Sequence, residues 1–259
     1  MTGMLRLRRS SIRNACAVAV LTLGPVADGL AENPNPGVAP PHSYAYGHTY
    51  GGWSAEWWKW YLSIPTDAPH PAIGGDCREG QSGKVFHLAA DFTGNPELPC
   101  TIPTGKAVLF SMANIECSTV EAPPFFGANE EELRDCAACW ADLIDVASLQ
   151  TTLDGRQLAD LGAYRASSPL FTFAYPADNI FGIPDGPGTG QSVSDGYWAL
   201  LNPLSAGEHT LSFSGQFQIP AGGACGLASD EPFSFGFGAA YRLTVDPGRR
   251  DVHVQAGVR

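Results

Sequence analysis

Seven cysteines, one of them inside an apolar stretch near the N-terminus, constrain this chain more than any other feature. Residues 1–31 have the three parts of an export signal: Arg6, Arg8, Arg9 and Arg13 with no acid among them, an apolar run from Ala15 to Ala27, and the small residues Gly29 and Ala31. The run is too short to span a bilayer, so cleavage after Ala31 is expected, with the mature protein secreted or periplasmic. The Arg8-Arg9 pair before Ser10, Ser11 and Ile12 loosely resembles a twin-arginine signal, and an ordinary basic n-region is the alternative. Cys16 follows no lipobox-like segment and would leave with the signal. Six cysteines then remain, and an even count in an exported chain reads as three disulfides. Local spacing favours Cys77 with Cys100 and Cys117 with Cys136, which leaves Cys139 with Cys225; a Cys136–Cys139 bridge is the main rival.

Loss of the signal leaves eleven basic against twenty-five acidic residues, a net charge of −14. That balance argues against nucleic acid or an anionic lipid surface as partner. Nothing after the signal resembles a membrane span, so no membrane insertion is expected. The remaining 228 residues fit one large β domain, expected over 42–259 behind a Pro- and Asn-rich linker at 32–41.

The clearest periodicity lies in the last sixty residues. Leu211, Phe213, Phe217 and Ile219 alternate with Thr210, Ser212, Ser214, Gln216 and Gln218, and the pattern returns from Phe233 to Val245. Further strands are expected at 85–90, 106–112, 144–153, 171–175 and 197–201. Two short helices interrupt them. One runs from Trp53 to Ile64, with Ser54 as N-cap and Pro65 past its end; the other opens on Asn129 and Glu132 in capping-box positions. The expected fold is mainly β: a disulfide-stapled antiparallel β-sandwich, jelly-roll-like, with two short helices.

Candidate chemistry is scattered. Trp53, Trp57, Trp58 and Trp60 fall within eight residues; helical spacing puts three on one buried face, whereas Trp58 falls off it and could present a flat ring to a sugar, with Trp53 beside it. Asp67, His70 and Asp76, together with Glu116, are the acid–base candidates. No pair of them has metal-ligand spacing, so no metal site is expected. His87 and His209 lie in or beside strands, where a hydrogen-bonded structural histidine is the ordinary reading. Cys136-x-x-Cys139 lacks the βαβ setting of a redox motif. The stretch from Pro176 to Gly196 reads as the longest loop and carries Asp178, Asn179, Asp185 and Asp195, oxygens that could hold a structural calcium, although their order is not that of an EF-hand. No other cofactor is indicated. The chain has no G-x-S-x-G, H-E-x-x-H, phosphate-loop or dinucleotide fingerprint, which weighs against an enzyme without excluding one.

The segments WSAEWWKW (Trp53–Trp60), His70-Pro71, Cys77 to Val85, CTIPTGKA (Cys100–Ala107), Glu116-Cys117, YRASSPLF (Tyr164–Phe171) and DGYWALLNPLSAGEH (Asp195–His209) together resemble a functionally uncharacterised family of exported bacterial β-rich proteins. The resemblance implies export and a β-rich fold, and it carries no catalytic residue. The leading expectation is an exported non-catalytic module that binds a glycan or another cell-surface partner through Trp58, Trp53 and the loop bearing Asp178, Asn179 and Asp185. The alternatives are a secreted hydrolase or lyase acting on polysaccharide through loop carboxylates and His, and a structural envelope or matrix protein.

Overall fold

Alternating apolar residues near the C-terminus form the longest hairpin of a computed structural model that describes residues 33–247. The expected signal at 1–31, Cys16 included, lies outside the described residues. In chain order the elements are β1 (Tyr44–Ala45), β2 (His48–Thr49), α1 (Tyr50–Ser63), β3 (Val85–His87), β4 (Leu98–Ile102), β5 (Ala107–Ser118), α2 (Glu130–Asp142), β6 (Ile144–Leu153), β7 (Arg156–Gln157), β8 (Arg165–Ser167), β9 (Phe171–Tyr175), β10 (Gly188–Leu201), β11 (Gly207–Ile219) and β12 (Phe233–Val245). The protein is mainly β, with two α-helices among the described residues.

Two five-stranded sheets carry the core. One has the order β3-β5-β10, with β8 and β9 sharing the far edge of β10; the other has the order β4-β12-β11-β6-β7. They meet through apolar faces, and Phe110 of β5 stacks on Phe213 of β11 with ring centroids 4.6 Å apart. The expectation of wholly antiparallel sheets is corrected at two edges, because β3 joins β5 and β4 joins β12 in parallel. These short edge strands are reached by long excursions of the chain, and only a tight hairpin would force an antiparallel neighbour. With these parallel edges and the in-sheet hairpin of β11 and β12, both sheets are mixed.

Helix α1 covers the outer face of the first sheet. It starts earlier than the sequence suggests: Thr49, not Ser54, is the N-cap, its Oγ1 accepting the Gly52 N–H at 3.2 Å. Ser54 lies inside the helix, bonded to the Gly51 carbonyl at 2.9 Å and facing Ser194 Oγ of β10 at 3.1 Å. Gly51 permits this close docking, because a Cβ there would stand 2.2 Å from the Ser167 carbonyl oxygen. The helix stops where Pro65 holds Ile64 in an extended conformation. Helix α2 opens as its sequence foretells, with Asn129 Oδ1 accepting the Glu132 N–H at 3.1 Å; Glu132 reaches back to the Ala128 N–H at 2.9 Å, one residue beyond the usual capping-box partner.

Two expected connections are ordered structure. In the segment read as a linker, Asn35 is buried and exchanges hydrogen bonds with the Ala159 backbone at 2.8 Å in both directions. In the stretch read as one loop from 176 to 196, only the part before Gly188 is loop. The rest is the first half of β10, whose glycines admit bulky neighbours: a Cβ at Gly188 would meet the Tyr175 ring, and one at Gly190 the Phe173 ring.

The disulfides are Cys77–Cys100, Cys117–Cys136 and Cys139–Cys225, the pairing favoured by spacing. The rival Cys136–Cys139 bridge does not form, because the two thiols leave α2 toward β5 and toward the β11–β12 loop respectively. Three disulfides fit an oxidising compartment. No helix among the described residues is long and apolar enough to cross a membrane.

Candidate functional site

Strand β5 is partnered unevenly. On its outer edge β3 covers only Ala107–Leu109, and Phe126 bridges only Ser118. At that end the Ser118 N–H donates to the Phe125 carbonyl (2.9 Å) and its carbonyl accepts from the Gly127 N–H (3.2 Å), both pointing away from β10. Antiparallel alternation then directs the backbone groups of Glu116 and Asn114 to the same outer edge. The ladder with β10 also skips Met112, a bulge that changes which residues face the second sheet: Phe110 faces it before the bulge and Ala113 after it. The result is a bare strand edge bordered by side chains from both of its faces.

Along this edge lies a cavity of about 360 Å³, lined by Ser111 to Glu116 of β5 and by aromatic walls from five places. Trp57, Trp58 and Tyr61 come from α1, Phe235 and Phe237 from β12, Phe125 from the turn after β5, and Phe92 and Phe181 from loops. The walls are mutually supported. Trp57 stacks on Tyr61 at 4.8 Å, Trp58 meets Phe181 at 6.1 Å, and Phe92 stands edge-on to Phe237 at 5.3 Å. Phe92 and Phe181, 52% and 41% exposed, form the rim.

Two carboxyls close the inner end. Glu116 is only 3% exposed; its Oε2 accepts from the Ser192 hydroxyl and its Oε1 meets no donor. Glu121 sits on the turn that folds back so that Phe125 and Gly127 can pair with Ser118. Its backbone N–H donates to Ser118 Oγ at 3.2 Å while its Oε2 accepts from the same hydroxyl at 2.8 Å, which brings its carboxyl to hydrogen-bonding range of Glu116. Burial, with the Glu121 charge beside it, raises Glu116 well above the ordinary carboxylate range, and burial raises Glu121 as well. Two such carboxyls cannot both ionise cheaply in an apolar setting, which favours a proton shared between them.

The expected site residues separate. Trp58 and Glu116 line the cavity; Asp67, His70 and Asp76 do not. Asp67 is exposed on the turn after α1. His70 is fully buried, its Nδ1 accepting the Ala72 N–H and its Nε2 bonded to the Tyr61 carbonyl, each at 3.2 Å, so both ring nitrogens hold the backbone after α1. Asp76 is clamped by Arg78, with one contact at 2.7 Å, and that hydrogen bonding holds its carboxyl below the usual range. The acid–base set therefore does not converge.

Of the binding candidates, Trp53 is a buried structural residue whose Nε1 donates to the Ala45 carbonyl at 2.8 Å. Trp57 and Trp60 likewise donate to the carbonyls of Leu88 and Glu79. Trp58 differs: it is 6% exposed rather than open to solvent, and its indole N–H has no partner among the described residues. Asn179 commits both ends of its amide to its own loop, at Ile183 and Pro176. Asp178 accepts from the Thr66 hydroxyl, and Asp185 is exposed. Asp195 forms a two-pronged ion pair with Arg165. Among the described residues no three His, Cys, Asp or Glu side chains converge on a metal-sized site. Sequence reasoning missed Glu121 and Phe181, which no periodicity marks; a second acid five residues after Glu116, just before the turn-forming Pro123-Pro124, was the available signal.

The chain matches no protein-family model, no curated protein and no solved structure.

Proposed function

We propose that this is an exported, non-catalytic binding protein whose site is the aromatic cavity along β5. The observation that carries the reading is eight aromatic side chains converging on one cavity whose few polar groups include a buried carboxyl pair. Such a site suits a small ring-bearing ligand with one or two polar atoms. The expected stacking on Trp58 is retained, but a glycan is a poor occupant, because its many hydroxyls would meet mostly aromatic walls, with Ser111, Asn114, Glu116, Glu121, the Tyr61 phenol, the Trp58 N–H and the β5 backbone edge as polar partners. The stacking of Phe110 on Phe213 supports a sandwich as the scaffold beneath the site.

The polysaccharide hydrolase alternative loses support on geometry. Glycoside hydrolysis needs two carboxyls about 5 Å or more apart, and Glu116 and Glu121 lie at hydrogen-bonding range. A purely structural role leaves a cavity with a buried acid pair without purpose. The test is tryptophan emission and thermal stability of the purified protein against small aromatic compounds and against neutral oligosaccharides. Saturable binding of the aromatics, weakened severalfold or more by Trp58→Ala and by Phe181→Ala, is the expected result. Saturable binding of oligosaccharides alone, or turnover of a polysaccharide, would overturn it.

A further inference from the structure

Deepening the cavity reading, on which it rests, we infer that the ligand is an ammonium: a primary or secondary amine on an apolar ring-bearing body, with its N–H groups directed at Glu116 and its charge against the aromatic walls. Three observations converge. Among the described residues no Lys, Arg or His lines the cavity, so none of them is a counter-cation to the acid pair there. Among the described residues the unpartnered buried side-chain atoms at the site are two acceptors, Glu116 Oε1 and Asn114 Oδ1, and one donor, Trp58 Nε1, a balance that suits a donor with several N–H groups. The surrounding faces of Trp57, Trp58, Tyr61, Phe181 and Phe237 form the kind of aromatic enclosure that attracts a cation.

The charges balance through the shared proton. A pair that shares one proton carries one negative charge. When the ammonium enters, that proton leaves to solvent, and both carboxylates face one cation, so the net charge of the filled site is again minus one. The titratable groups lining the cavity are Glu116 on β5, Glu121 on the following turn and Tyr61 on α1, and β12 contributes none. Burial holds the Tyr61 phenol neutral, so the exchanged proton comes from the carboxyl pair.

The experiment is calorimetric titration of the whole protein at pH 7 with 2-phenylethylamine, 2-phenylethanol and phenyltrimethylammonium, each in phosphate and in Tris. The amine should bind about ten- to a hundredfold more tightly than the alcohol, as a charge-assisted hydrogen bond requires. It should also release about one proton, seen as a buffer-dependent heat. Glu116→Gln and Glu121→Gln, checked for folding by circular dichroism, should each remove most of that preference while alcohol binding persists. Equal affinity for amine and alcohol would overturn the inference and leave the cavity reading standing. Equal affinity for the quaternary ion would also overturn it, because N–H donation to Glu116 would then play no part. Binding of none of the three, with wild-type protein folded, would defeat both readings.

Discussion

Ser192 Oγ donates to Glu116 Oε2 from the neighbouring strand β10, and it is the one hydroxyl that this buried carboxyl meets among the described residues. A single hydroxyl does not offset burial beside a second acid, and that imbalance is what makes the site chemically distinct.

Glu116 should make stability fall as pH rises. Its native pKa is raised, so the folded protein keeps a proton that the unfolded chain releases above about pH 4.3. Stability contributed by that proton is full below the unfolded value and declines by about 1.4 kcal/mol per pH unit until the native value is reached. Urea denaturation of wild type and Glu116→Gln at pH 5, 6, 7 and 8 should show the variant gaining on wild type as pH rises, until the native value is passed. Parallel pH profiles would contradict the assignment.

His87 should act in the opposite direction. Its ring is buried beside Trp60, 5.4 Å between centroids, with Nδ1 unpartnered. Burial, with Lys106 adding repulsion, pushes its pKa down to about 4. The unfolded chain takes up this proton below about pH 6.5, so stability is lost as pH falls from there toward 4, by roughly 2–3 kcal/mol at pH 4.5. His87→Leu should be flatter than wild type over that interval; an equal acid loss in both proteins would place its origin elsewhere.

The Cys139–Cys225 bridge should stabilise more than Cys117–Cys136, because it spans 86 residues rather than 19. Chain-entropy arguments give about 4–5 kcal/mol for the longer loop and about 3 kcal/mol for the shorter. Paired Cys→Ala variants, compared by urea midpoint under non-reducing conditions, should follow that order. The reverse order would mean that strain or residual structure in the unfolded chain outweighs loop length.

Gly196 lies opposite Asn114 in the β10–β5 register, and a Cβ on it would stand 2.4 Å from the Asn114 Cα. Backbone cannot yield cheaply, so Gly196→Ala should cost at least about 2 kcal/mol and shift the edge that lines the cavity. A neutral effect on the urea midpoint would show that the strands part more easily than their pairing implies.

What the sequence determined by itself was what nearest neighbours and short spacings control. The alternation from Thr210 to Val245 gave the β11–β12 hairpin, because a half-buried strand requires period two whatever lies around it. Asn129 and Glu132 gave the start of α2, and cysteine spacing favoured the observed pairing. Ser54 read as the cap of α1, yet the helix opens five residues earlier at Thr49, with Gly51 inside it docked under Ser167. Asp67, His70, Asp76 and Glu116 were equivalent as letters; Asp76 is taken by its near neighbour Arg78, while folding tied His70 to the Tyr61 carbonyl and left Glu116 facing Glu121. The cavity itself was legible nowhere in the chain order. Its walls come from α1, β5, β12 and separate loops, and which side chains face one another across such distances depends on how sheets and helix pack, not on any local period.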